Sequence, residues 1–375
     1  MSQNGSQVVS AVSLNDRGDP QSTIVGLLRT AMEKGAFDAI LVPLMVPAGD
    51  GFARVLLKDP DLLRDAWPLP PVIGVSGGKA ASALTRLGRG DLRVCVVARP
   101  CETRAIIELT KLKQVDLGNL TLLSMDCAGA MPLHGFSKDP EREIAKFKSI
   151  TKDQSIGIRP ICATCNSTSS IYGDLHVGLF GGADGKVPLL VSGEKGKRAI
   201  EKLDLPLMED TSSWRNASLG VNQARAVARE DWLGRLKPQI EGPDKLLGVL
   251  SACINCHNCM RACPVCYCRQ CYFDSERLKH PADDYLEQAK RKESLRFLPD
   301  MLLFHLGRMT HMSLTCVSCG MCEDACPASI PIAQIFSYVA ERTQKAFDYV
   351  PGRSLSDPMP LAVYKEEELE EEGDD

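Results

Sequence analysis

The residues most able to do chemistry in this chain are its cysteines. There are sixteen, and eleven of them fall between Cys253 and Cys326. Two runs share one spacing, Cys253-x2-Cys256-x2-Cys259-x3-Cys263-Pro264 and Cys316-x2-Cys319-x2-Cys322-x3-Cys326-Pro327. A tight loop with x2 gaps supplies three corners of a [4Fe–4S] cubane, and the fourth cysteine, on the following turn, reaches the other cluster. The spacing therefore predicts cluster A on Cys253, Cys256, Cys259 and Cys326, and cluster B on Cys316, Cys319, Cys322 and Cys263. Zinc sites usually set two Cys-x2-Cys pairs well apart and need no third close thiolate. The proline after each fourth cysteine removes a backbone donor and stiffens the exit of the loop. His257, inside the first loop, reads as a polar neighbour of the thiolates and not as a ligand.

The remaining cysteines are less regular. Cys266, Cys268 and Cys271 crowd into PVCYCRQC, either as small buried residues or as partial ligands of a further centre that still needs a fourth group. Cys101 follows one apolar run in ARPCE, and Cys127 follows the next in MDCAG. With the ICATC pair Cys162 and Cys165, they could converge where α/β sheets bind cofactors, outside the carboxyl ends of strands. A zinc site or four unrelated thiols are the alternatives, and spacing leaves the choice open. Cys95, inside LRVCVVA, reads as core. Lys195 and Lys197, beside Gly193 and Gly196, are candidates to hold a phosphate, or else begin a solvated basic helix. Gly178, Gly181 and Gly182 let backbone donors approach a phosphate or form a hairpin turn. His134 is either a proton donor or a surface histidine. No G-x-G-x-x-G dinucleotide fingerprint is present.

The elements that must position these residues follow from periodicity. Ser22 to Lys34 has a helical apolar stripe, and Ala39 to Val46 is an apolar run of strand length. Lys79 to Leu87 and Glu102 to Leu112 read as helices, and Leu92 to Ala98 and Leu120 to Met125 as buried parallel strands. Gly173 to Ser192 is β-rich, and Lys195 to Leu203 and Asn222 to Leu236 are helical. Strands alternating with helices predict an α/β domain with a mainly parallel or mixed sheet. A linker at Pro238 to Pro243 then separates it from a mostly helical ferredoxin-like domain. Asp283 to Met312 is mostly helical there, and Ile332 to Phe347 is a last amphipathic helix. The expected organisation is a disordered leader over 1–20, the α/β domain over 21–240, the two-cluster domain over 241–347 and a tail over 348–375.

Charge and composition exclude some functions. The formal net charge is −4, yet eight acids sit in Glu366 to Asp375, and setting those aside leaves 44 basic against 40 acidic residues. Neither balance offers the concentrated basic face that nucleic acid requires, and 5% aromatic residues supply little for base stacking. No apolar run is long enough to span a bilayer, and Met1 to Pro20 has no apolar segment of the secretory kind. These features predict a cytoplasmic protein, in which cysteines stay reduced and hold cofactors in preference to disulfides.

In this order, ARPCE with its following helix, ICATC, GDLHVGLFGGADGK and CPVCYCRQC resemble the β-subunit family of coenzyme F420-dependent hydrogenases and formate dehydrogenases, over roughly Thr23 to Phe347. That resemblance implies a flavin, usually FAD, beside a proximal [4Fe–4S] cluster, with Cys101, Cys127, Cys162 and Cys165 as its candidate ligands. It implies electron transfer between a hydride carrier and a catalytic dehydrogenase or hydrogenase subunit, or heterodisulfide-reductase-type partners. The Gly-Gly turn that family members tend to carry before their first helix is replaced here by DPQSTIVGLL, and Gly77 and Gly78 come later. A flavin-free relay of three clusters is the alternative expectation.

Overall fold

The run Val94–Val97 is buried at all four positions, because helices cover both faces of the sheet to which it belongs. In the computed structural model, residues 8–150, 157–169, 171–181, 185–278, 281–293 and 300–363 are described. Seven strands form one sheet: β1 Val8–Asn15, β2 Ala39–Met45, β3 Phe52–Leu57, β4 Val94–Val97, β5 Leu120–Met125, β6 Leu175–Val177 and β7 Lys186–Ser192. Their order is β1-β7-β6-β5-β4-β2-β3. The four central strands β6, β5, β4 and β2 are parallel, and the edges add antiparallel partners, β3 on one side and β7 with β1 on the other.

The helices are α1 Pro20–Glu33, α2 Gly77–Thr85, α3 Pro100–Lys111, α4 Leu133–Phe136, α5 Pro140–Ile150, α6 Pro160–Ala163 and α7 Gly193–Glu201 in the sheet domain. Then come α8 Ser212–Ile240, α9 Pro243–Leu250, α10 Asn258–Ala262, α11 Ala282–Lys292, α12 Asp300–Met312, α13 Met321–Asp324 and α14 Ile332–Ala346. Side chains alternate across a strand. Cys95, Val97, Leu123 and Met125 therefore pack with Ile24 and Leu28 of α1, while Val94, Val96, Leu120 and Leu122 pack with Ile106 and Leu109 of α3. Cys95 is fully buried in the first of these cores.

Three expectations are corrected. Residues 8–15 of the expected leader form β1, paired antiparallel with β7 from Val8↔Ser192 to Asn15↔Lys186. Val12 and Leu14 are buried, so an edge strand with serines interleaved among its apolar residues looked like a polar leader. Pro238 does not interrupt α8, which runs on to Ile240, so the break between helices is confined to Glu241 and Gly242. The start of the expected tail is docked on α3: the Tyr349 hydroxyl donates to both Glu108 oxygens at 2.7 and 2.8 Å, and Gly352 N donates to Glu108 at 2.7 Å. The acidic end, 364–375, lies outside the described residues. Among the described residues no helix is long and apolar enough to cross a membrane.

The helical region packs against the sheet domain through α2 and α3. Ala105 of α3 shares an apolar cluster with Cys263, Val265, Met312 and Val317. Ser76 caps α2 by accepting from Gly78 N, and a Cβ on Gly78 would stand 3.2 Å from Pro264. The glycine permits the approach, so Gly77–Gly78 is a helix entry and a packing contact.

Candidate metal centres

Local backbone shapes both cysteine-rich loops in the same way. In the first, Asn255 and His257 are left-handed, at φ 54° and 59°. In the second, Ser318 and Gly320 occupy the same two places, at φ 53° and 78°. Left-handed residues reverse the chain sharply, and one before and one after the middle cysteine curl three thiols toward a common centre. Asn255 N donates to Cys253 Sγ at 3.4 Å.

Cys253, Cys256, Cys259 and Cys326 line a single recess together with Ile254, His257, Phe304 and His305. Beyond the burial that raises their thiols, Cys263 is the foremost charged neighbour raising Cys316, Cys319 and Cys322. The structure thus brings each fourth cysteine beside the triplet of the other motif. His257 has both ring nitrogens engaged, with Asp274 at 3.2 Å and Asn255 at 3.1 Å, and its ring stacks on Phe304 at 4.2 Å.

The four N-terminal cysteines come from three separate connections. Cys101 is the second residue of α3, just past β4, and Cys127 lies two residues past β5. Cys162 is on α6, and Cys165 follows it. All four line one recess, and Cys319 of the second loop lines it too. Cys127 N donates to Thr168 O at 2.9 Å, and Thr168 in turn bonds Asn222 of α8. A Cβ on Gly320 would meet Ile161 Cγ2 at 2.5 Å, so glycine lets the second loop lie directly against the Cys162 helix.

Buried arginines hold this recess, and cysteine spacing did not reveal them. Arg99 donates to Cys127 Sγ and Gly129 O, each at 2.8 Å, and also to Pro70 O. Arg159 pairs with Asp324 at 3.2 Å. Arg225 of α8 donates to Cys162 O at 3.1 Å and Ala128 O at 2.6 Å. Arg99 is in turn set by Glu102, which accepts from Arg99 N at 3.0 Å and Gly77 N at 2.7 Å and pairs with Arg54 at 2.5 Å. Burial opposes ionisation of Glu102, yet Arg54 and the two backbone donors win and lower its pKa. A signal did exist: an Arg-Pro pair opens both ARPCE and RPIC, putting arginine at the N-cap and proline at the first turn of α3 and α6. Arg225 and the Arg308 and His305 of α12 lie on ordinary helical stretches and carry no such mark.

The donor sets fit clusters. Among the described residues no three His, Cys, Asp or Glu side chains converge closely enough to hold one metal ion; the thiols ring recesses, as the corners of a cubane require. Buried donors stand without partners at those recesses: Nε of Arg99, Arg159 and Arg308, and Nδ1 of His305. Unpaired buried donors are costly, and sulfur acceptors within the recesses would satisfy them. Burial pushes the Cys259 thiol up to about 11 and raises Cys101 well above the usual thiol range, Cys319 adding to the effect.

Other candidates lie outside these two recesses. Cys268 is exposed, while Cys266 and Cys271 are half-buried against the helical core, and burial pushes the Cys266 thiol up to about 12. Gly178 and Gly181 are closed against α8, where added Cβ atoms would meet Trp214 at 2.6 Å and Ala217 at 2.7 Å. Gly182 lies outside the described residues. Lys195 donates to Leu117 O and Leu120 O, at the amino end of β5, and Lys197 pairs with Glu194 at 2.8 Å. The glycines lie beyond the carboxyl end of β6, which runs parallel to β5, so they and the lysines occupy opposite ends of the sheet and do not form one flavin cradle. His134 is exposed on α4.

Residues 249–330 match the family model described as a 4Fe-4S dicluster domain. The chain is 25% identical over 376 aligned residues to the F420-dependent formate dehydrogenase subunit beta of Methanocaldococcus jannaschii, covering 91% of this chain and 94% of that protein. It is 28% identical over 388 aligned residues to the F420-dependent formate dehydrogenase 1 subunit beta of Methanococcus maripaludis, covering 93% and 94%. A chain of the F420-reducing [NiFe] hydrogenase complex from Methanosarcina barkeri aligns with a TM-score of 0.44 at 13% identity, over 63% of this chain and 94% of that one. Over nearly its whole length, then, the protein is similar to the beta subunits of F420-dependent formate dehydrogenases, and it carries a 4Fe-4S dicluster domain in its C-terminal half.

Proposed function

We propose that the chain is an iron–sulfur electron-transfer subunit of an oxidoreductase complex, with three [4Fe–4S] clusters in a row. Cluster A is held by Cys253, Cys256, Cys259 and Cys326, cluster B by Cys263, Cys316, Cys319 and Cys322, and a proximal cluster by Cys101, Cys127, Cys162 and Cys165. When bound, such clusters carry single electrons at potentials tuned by hydrogen bonds to sulfur, by charge and by solvent exposure. The observation that carries this reading is the shared wall: Cys319 lines the recess of the N-terminal four, so two thiol sets are contiguous. The third adjoins them, since Arg308 reaches Cys259 and also acts on Cys263 and Cys322.

The chain's own residues do the positioning. The left-handed loop residues aim thiols inward, and Arg99 and Arg225 fix the N-terminal recess by bonding its backbone carbonyls. Ile254, in the first loop, is 56% exposed, which opens site A to a partner. A catalytic dehydrogenase or hydrogenase subunit is the partner that the relatives' names suggest, and a heterodisulfide-reductase-type subunit is a second candidate for the far end of the relay. Gly178, Gly181, Lys195 and Lys197 do not gather into one flavin cradle, which leaves a flavin to other residues, and no step here is routed through one.

Iron, acid-labile sulfide and flavin per chain, measured on anaerobically purified protein, test the proposal. About twelve irons without flavin, after attempted reconstitution with FAD, support the relay. About twelve irons with one flavin support electron transfer from a hydride carrier through that flavin, held by residues other than those named above. About eight irons would remove the proximal cluster from the proposal.

A further inference from the structure

Helix α12 joins the two cysteine loops in sequence and contributes one buried cation between them. Arg308 is 2% exposed. Its Nη1 donates to Cys259 Sγ at 3.1 Å and its Nη2 to Cys259 O at 3.2 Å. The guanidinium lies 4.7 Å from the centre of the Phe336 ring and 5.5 Å from that of Phe304. Among the described residues it has no carboxylate partner, and its Nε has no acceptor. Its charged neighbours are thiols: Cys259 of site A, Cys263 and Cys322 of site B, and Cys266.

A buried charge without a counter-charge is strongly unfavourable, and phenylalanine faces offset only part of that cost. The negative charge that balances Arg308 must therefore come from the thiolates of the two sites. Those sites have the converse difficulty. Each assembles four thiolates in a largely apolar surrounding, and the two lie side by side. One fixed cation between them answers both problems.

We propose that Arg308 is the shared counter-ion of sites A and B and the residue that raises the reduction potential of site A. The inference rests on the cluster reading above. The step it acts on is a one-electron reduction in which an electron enters from the donor, no bond breaks and no proton is taken up. Each reduction adds one negative charge, so a fixed cation and an N–H···S bond favour the reduced form. His305 Nε2 lies 3.4 Å from Cys253 Sγ, but an imidazole can lose its proton near neutral pH, whereas a guanidinium stays protonated in proteins. Arg308 is thus the permanent charge at the site.

The test is an anaerobic dithionite titration of the full-length holoprotein followed by electron paramagnetic resonance, comparing wild type, Arg308→Met and Arg308→Lys. Arg308→Met is expected to make reduction of one C-terminal cluster at least tenfold less favourable, a fall of about 59 mV for a one-electron couple. Arg308→Lys, which keeps the charge and loses the fork, should recover part of that. Equal potentials in all three proteins with iron content intact would overturn the proposal. A second measurement does not depend on potentials: in protein labelled with nitrogen-15 arginine, pulsed resonance should show an arginine nitrogen coupled to a reduced cluster that is lost in Arg308→Lys and kept in Arg99→Lys. Absence of that coupling would also overturn it. Iron content separates the two levels of failure, because a chain lacking the roughly eight irons expected of the C-terminal cysteines refutes the cluster reading itself.

Discussion

In the C-terminal region, three thiols of each set sit within one loop, and that loop is bent by its own residues, Asn255 and His257 or Ser318 and Gly320. In the N-terminal region, the four thiols arrive on three connections. They meet only because β4 and β5 are neighbouring parallel strands and because Arg99 and Arg225 tie the loops together. The first arrangement is local and inexpensive in chain entropy. The second must close long loops before Cys101, Cys127 and the Cys162–Cys165 pair can meet, and it depends on buried polar bonds that are costly to lose. The lesson is that the proximal recess should be the more fragile of the two under substitution, and the C-terminal sites the more self-sufficient.

The largest effect should come from the crossed ligands. Cys263→Ser lies in the first motif, yet it is expected to remove site B, about four irons per chain, while Cys326→Ser removes site A. Iron analysis with resonance spectra of each variant checks this, and a loss matching the motif in which the residue sits would refute the crossing.

Next is Glu102→Ala, which leaves Arg54 buried and unpaired. It should cost about 3–5 kcal/mol in urea unfolding and empty the proximal recess before the C-terminal ones. Equal losses at all three sites would erase the contrast between the regions.

Gly320→Ala sharpens the comparison of the two loops. Position 257 already bears a left-handed histidine, but at 320 a methyl group would press on Ile161. A loss of about 1–3 kcal/mol is expected from overpacking and backbone strain, accompanied by changed spectra of the site B and proximal clusters. Unchanged spectra would mean that the second loop does not bear on the proximal recess.

The smallest effect lies at the far end of the sheet, where the Arg93 guanidinium beside Asp38 holds its carboxyl down at about 2. A carboxylate with a depressed folded pKa contributes stability above its unfolded value, and that contribution is lost as pH falls. Its window runs from 3.8 down to about 2. Both side chains are partly solvated, so Asp38→Asn should cost under about 1 kcal/mol and flatten stability in that window without altering iron content. A drop in iron would show that the two ends of the sheet are coupled.

Much of this architecture was legible from residue types and spacing. Leu120–Met125 was read at its actual bounds, and α1, α2, α3, α7 and α14 were placed to within a few residues, because buried apolar periodicity is strong where an element faces a core. Edge strands were harder. β1 and β3 are solvated in part and pair with only one neighbour each, so their apolar signal is weak. Helix α8 was read only in part, because several of its contacts are polar and leave no apolar stripe: Arg225 to the Cys162 loop, and Arg229 to Ser337 and Glu341 of α14.

What the amino-acid sequence determined by itself was the local chemistry: which thiols share a loop, which residues tolerate left-handed backbone within it, and which runs must be buried. What tertiary structure alone decided was the meeting of distant groups. That includes Cys101 with Cys127, Cys162 and Cys165, Cys319 on the same wall, and Arg308 between two sites. The physical reason is range. Loop geometry is set by dihedral preferences a few residues long, whereas the partners of a buried charge are chosen by how sheets and helices pack, and that choice leaves no periodic mark on the chain.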